Sequence, residues 1–102
     1  MPEENRLVLT GTLRRAPETR RSPAGIPISR FILEHHSLQR EDGRERSASF
    51  SIAVVAAGET LQAAVSELRA GDRVKVQGFI HRTGRPGPYA LAVHAHAIHR
   101  LP

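Results

Sequence analysis

Between Leu7 and His35 the chain carries two segments in which apolar residues recur at every second position, separated by a stretch that is polar, basic and rich in turn formers. The first, Leu7 to Leu13, sets Leu7, Leu9, Gly11 and Leu13 against Val8, Thr10 and Thr12. The second sets Ile28, Arg30, Ile32 and Glu34 against Ser29, Phe31, Leu33 and His35. A period of two belongs to a strand with one buried face. The stretch between holds Arg14, Arg15, Arg20 and Arg21 against Glu18 alone. It turns back through Ser22-Pro23-Ala24-Gly25-Ile26-Pro27, where proline fixes φ and glycine supplies a positive φ. The unit reads as strand, basic loop, strand. Gly11 in mid-strand marks a bulge or sharp bend, of the kind a sheet needs to close on itself.

The remaining segments supply the rest of such a sheet. His36 to Ser47 is a polar loop turning at Asp42-Gly43, and the third strand, Ala48 to Val55, points Ala48, Phe50, Ile52 and Val54 one way and Ser47, Ser49 and Ser51 the other. Phe50 and Phe31 are thereby expected in the core. At Gly58-Glu59-Thr60 the period changes to about 3.6, which predicts a helix over 59–69 with Leu61, Ala64, Val65 and Leu68 on one face, stopped by Gly71. A fourth strand sets Val74, Val76, Gly78 and Ile80 against Lys75, Gln77, Phe79 and His81. A loop with Arg82 and Arg85 follows, and a fifth strand runs from Tyr89 to Ile98. The order is β-β-β-α-β-β, that of an all-β, five-stranded OB-fold barrel with one short helix between strands 3 and 4. Residues 1–5 read as a flexible arm and 6–102 as a single domain, all that 102 residues can form.

That fold binds oligonucleotides or oligosaccharides on its middle strands and on the loops between strands 1 and 2 and strands 4 and 5. Here those loops carry Arg14, Arg15, Arg20 and Arg21, and Arg82 and Arg85, while the loop between strands 2 and 3 adds Arg40, Arg44 and Arg46. The formal charge is +5 and the sequence pI about 11.2, which favours a polyanionic partner. Every basic residue except Lys75 is arginine, whose planar fork grips phosphate and lies flat on a base. Aromatic stacking partners are few: Phe79, on the face it shares with Lys75, and Tyr89, at a loop mouth. Binding dominated by phosphate contacts and weakly selective for sequence is the expectation. No cysteine is present, no nucleotide-binding or nucleophile motif occurs, and no acidic residue follows Asp72 to complete a metal site around His81, His94, His96 and His99. These histidines read as barrel-wall residues, and no enzyme, metal or cofactor is expected. No apolar run approaches the roughly 18 residues of a membrane span, so a cytoplasmic protein without membrane contact is the default. Charge and fold leave open an RNA-binding or ribosome-associated module of the same architecture, or a protein adaptor with weak DNA binding.

Asn5-Arg6-Leu7-Val8-Leu9-Thr10-Gly11-Thr12, Ser22-Pro23-Ala24-Gly25-Ile26-Pro27, Phe31-Ile32-Leu33-Glu34-His35 and Val76-Gln77-Gly78-Phe79-Ile80 together resemble the bacterial primosomal replication protein N (PriB) family, and more distantly the bacterial single-stranded DNA-binding proteins. The resemblance implies a homodimer that binds single-stranded DNA and, in replication restart, bridges a PriA-type helicase and the next primosomal loading factor. It also places DNA-contacting residues near Arg15, Arg20, His36, Arg46, Arg82 and Arg85. Ser49 stands where the family has tryptophan, Arg44 where it has an aromatic residue, and Ala90 where it has lysine.

Overall fold

The computed structural model describes residues 2–102. Six strands form one sheet: β1 (Leu7–Leu13), β2 (Glu18–Arg21), β3 (Pro27–Glu41), β4 (Arg44–Ala57), β5 (Arg73–Arg82) and β6 (Leu91–Arg100). The hydrogen-bonded order is β1-β5-β6-β4-β3-β2, and a further pairing of β1 with β3 closes five of these strands into a barrel. β2 lies outside the closed set, on the β3 edge that β1 occupies further along: Glu18 to Arg21 pair with Arg30 to Pro27, whereas Thr12 and Leu13 pair with Glu34 and Leu33. The expected loop between the first two strands therefore contains a strand. Its four residues are all exposed and carry no apolar alternation. A partly buried polar chain holds it, running from Thr19 Oγ1 to Ser29 Oγ (2.8 Å) and on to Gln62 Oε1 (2.7 Å), with Ser29 itself only 1% exposed.

Parity along the strands decides the core. Leu13, Phe31, Leu33, Val54, Val74, Val76 and Val93 fill the barrel from alternate positions, each worth about 1.5–3 kcal/mol when fully buried. The one α-helix among the described residues, α1 (Glu59–Val65), closes one end with Leu61 and Val65. It is shorter than its periodicity implied, and Leu68 enters the core from the turn that follows. Gly71 belongs to a later turn, where its amide donates to the Leu13 carbonyl at 2.9 Å. Gly11 marks a close crossing instead of a bulge. The register of β1 on β5 is regular through it, and a Cβ there would lie 2.5 Å from the Glu34 carbonyl. The sheet's irregularity falls at Gln77/Gly78, where a Cβ on Gly78 would run into the His94 carbonyl.

The polar segment expected as a loop between β3 and β4 is instead a continuous ladder from Ile28↔Ala57 to Glu41↔Arg44, turning over Asp42 (φ 50°) and Gly43 (φ 73°), both in the left-handed region a two-residue turn requires. The end of this hairpin leaves the barrel. The radius of gyration is accordingly 14.4 Å, against about 13 Å for a compact chain of this length. This projection corrects the expectation for Phe50. It does share a face with Ile52 and Val54, but it lies past the barrel's rim and is 44% exposed, its ring 5.0 Å from that of His35 between centroids. Phe31, inside the rim, is 4% exposed as expected.

Candidate nucleic-acid interface

The outer face of β3, β4 and β6 is flanked on one side by β2 and the segment before it, and on the other by the β5–β6 loop. Between them run two confluent recesses of about 370 and 410 Å³, which share Glu18, Arg30 and Arg85. The first has Arg20 and Arg82 on its walls and Ile28, Val55 and His94 on its floor. The second has Arg14, Arg15, Tyr89 and Pro86. Six guanidinium groups thus border one cleft, and Glu18 is the only acid in its lining. Arg30 is carried by β3, Arg20 by β2, Arg82 by β5 and Arg85 by the loop that follows, and the Arg14 amide donates to the Ile32 carbonyl at 3.2 Å. β2 pairs with β3. The β5–β6 loop includes one 3-10 turn (Gly87–Tyr89) and is braced by Thr83, whose amide donates to the Ala90 carbonyl (2.9 Å), whose Oγ1 donates to the Tyr89 carbonyl (2.8 Å), and whose Oγ1 also accepts from the Arg85 amide (3.0 Å).

Arg14 serves as a clamp as well as a charge. Its Nη1 donates to Tyr89 Oη at 3.2 Å, its Nη2 to Ser51 Oγ at 2.9 Å, and its Nε lies 3.5 Å from Glu34 Oε1. The pair ties the two walls together across β4. Arg15, Arg20, Arg30, Arg82 and Arg85 form no ion pair within 4.0 Å of an acid among the described residues.

Of the residues singled out from sequence, Arg14, Arg15, Arg20, Arg82, Arg85 and Tyr89 converge here. Phe79 adjoins the cleft through His94, whose ring it stacks on at 5.3 Å and 17°. Arg21 faces away, donating to the Gly25 carbonyl (2.7 Å) and to Glu59 of α1 (3.0 Å). Arg44 and Arg46 lie on the projecting hairpin, Arg46 being 3.7 Å from Glu41. Lys75 sits on β5 opposite Thr10 of β1 and His99 of β6, away from the arginine walls. His36 bonds Ser49 (2.7 Å) beside a separate, more open cleft of about 860 Å³ between the hairpin and β1. That larger cleft includes Arg73 and Glu34, so charge does not distinguish it as an anion site. Arg30 is the residue the sequence reading passed over. An arginine in mid-strand with buried neighbours at Ser29 and Phe31 has to face outward, and that was the signal available.

His94 is half-buried. Burial first, and the neighbouring His81 second, hold its pKa below the ordinary histidine value, so its ring is neutral at pH 7. No cluster of three metal-ligating side chains occurs among the described residues, and none of the described helices is long and apolar enough to cross a membrane.

Residues 5–97 match a family described as another single-strand binding protein family. The chain is 44% identical over 95 residues to the replication restart protein PriB of Photorhabdus laumondii, covering 92% of this chain and 90% of that one. It is 42% identical to PriB of Escherichia coli K12, with 92% and 91% covered. Among solved structures, PriB from Ralstonia solanacearum superposes with a TM-score of 0.83 at 28% identity, over 96% of this chain and 98% of that chain.

Proposed function

The chain belongs to the PriB group of the single-strand binding protein family, and from that membership we propose that it is a single-stranded DNA-binding accessory of replication restart whose strand lies in the arginine cleft. Six arginines bordering one cleft, with Glu18 the only acid in its lining and Glu34 engaged by Arg14, carry the reading. A flexible polyanion can follow such a groove, each neutralised phosphate releasing counterions. Duplex DNA is a poorer fit, because its rigid cylinder cannot enter a cleft between two walls. The protein acts as a binding module and not as an enzyme, as the relatives' names imply.

The assembly we propose is a homodimer. Leu13 turns its amide and carbonyl toward Asp72 and Gly71, so residues 7, 9 and 11 face β5, and Val8 and Thr10 face the other edge of β1. β3 covers that edge only at Thr12 and Leu13. The Thr10 carbonyl is taken by the His35 ring, Nδ1 donating at 2.6 Å, and Val8 is 57% exposed. An open strand edge of this kind pairs readily with a second copy. Bridging of a PriA-type helicase to the next loading factor, in the cytoplasm, completes the proposal by likeness to the relatives named.

Fluorescence anisotropy with labelled oligo-dT, its duplex with oligo-dA and the matching RNA tests the reading. Single-stranded DNA is expected to bind most tightly, with the logarithm of affinity falling linearly against log salt at about −0.7 per phosphate neutralised. Equal affinity for duplex, or a flat salt response, would overturn it, and a preference for RNA would move the protein to the RNA-binding alternative.

A further inference from the structure

Beside the arginine cleft, on the outer face of β5 and β6, four rings form a continuous surface. Phe79 stacks on His94 (5.3 Å, 17°) and lies against His96 (5.4 Å, 45°), and His81 meets His94 edge-on at 5.4 Å. His94 is at once the centre of this group and part of the cleft floor, next to Val55. His81 and His96 are exposed, Phe79 and His94 half-exposed, so the surface is open to a ligand.

We propose that Phe79, His81, His94 and His96 form a base-stacking subsite that continues the arginine cleft across β6, and that His94, at its centre, takes up a proton as a strand is seated, so that single-strand binding tightens on acidification. This rests on the single-strand reading of the cleft and extends it. Flat rings of any kind offer a nucleobase a stacking partner, histidine included, and in a chain without tryptophan the subsite adds to the one ring, Tyr89, that the cleft walls supply.

Charge placement gives the pH dependence its sign. The groups facing His94 are His81 on β5, His96 on its own strand, Arg30 on β3, Arg20 and Glu18 on β2, and Arg82 and Arg85 from the β5–β6 segment; Val55 on β4 is uncharged. In the free protein burial first, and His81 second, hold the His94 pKa below the ordinary histidine value. A phosphate backbone in the cleft reverses the local field, so the bound state holds protons the free state does not. Affinity therefore rises as pH falls toward and through the ordinary histidine range.

The test is oligo-dT anisotropy at constant salt at about pH 8 and about pH 6, an interval in which thymine does not titrate and histidine does. The wild type should bind about five- to tenfold tighter at the lower pH, the gain from roughly one added proton. His94→Phe keeps a flat ring but has no proton to gain, and should lose most of the wild type's gain on acidification. His94→Ala should be weaker by about fivefold or more at the higher pH, the loss of one stacked base. If His94→Ala binds like the wild type, or His94→Phe retains the full acid response, while Arg82→Ala/Arg85→Ala is weakened, the subsite is wrong and the cleft stands. If the arginine pair is also without effect, the cleft falls and the subsite with it.

Discussion

Removing Arg82 and Arg85 together takes two guanidinium groups from one wall of the cleft and leaves the pinned loop backbone in place, since the Arg85 contact to Thr83 is made by its amide. For a single strand each lost phosphate contact makes the slope of log affinity against log salt shallower by about 0.7, so the pair changes it by about 1.4. Referred to about 1 M salt, where the counterion effect vanishes, that difference predicts a loss of about 70-fold at about 50 mM salt, shrinking to about tenfold at about 200 mM. The control is Arg69→Ala/Arg100→Ala, which removes the same net charge from the turn after α1 and from the far end of β6, opposite the Arg82 end. It should shift the slope little. Anisotropy titrations of oligo-dT at four salt concentrations measure all three proteins. A control that loses as much as the cleft pair would show that net charge binds the strand and that its placement does not, refuting the reasoning.

Three further outcomes follow from the geometry. Gly78→Ala would drive a Cβ into the His94 carbonyl at the sheet's one irregularity, and a loss of about 3 kcal/mol or more is expected in urea unfolding. Val8→Pro deletes an amide that faces the open edge of β1 and spares the β1–β5 ladder, so sedimentation should shift from a dimer to the 11.2 kDa chain with the fold intact by circular dichroism. Because the folded state disfavours a proton on His94, the unfolded chain binds more protons below about pH 6.5; stability falls as pH drops through that value and is level above it, and His94→Phe should flatten the trend in urea midpoints measured across the window.

The barrel strands were legible because burial on one face writes a period of two: β1 spans the residues its alternation marks, and Val74, Val76 and Val93 are all buried. What went unread had no such face. β2 is four exposed residues held by pairing with β3 and by the Thr19–Ser29–Gln62 chain, and the outer hairpin is a strand pair with solvent on both sides, so its polar sequence looks like a loop. Phe50 shows the limit of parity, which assigns a face but not how far along a strand the core extends. The arginines of the loops were legible from charge alone. Their gathering around Arg30, and the exclusion of Arg21, Arg44, Arg46 and Lys75, depend on strand register, which no single segment carries.

The course of the strand over the protein is most directly measured by backbone amide chemical shifts of the ¹⁵N-labelled protein titrated with oligo-dT. Perturbations should concentrate at Arg20, Arg30, Val55, Arg82, Arg85 and His94, with α1 and Arg100 unchanged. Shifts confined to the hairpin tip around Arg44, or to the β1–β5 face around Lys75, would place the strand elsewhere and contradict the cleft.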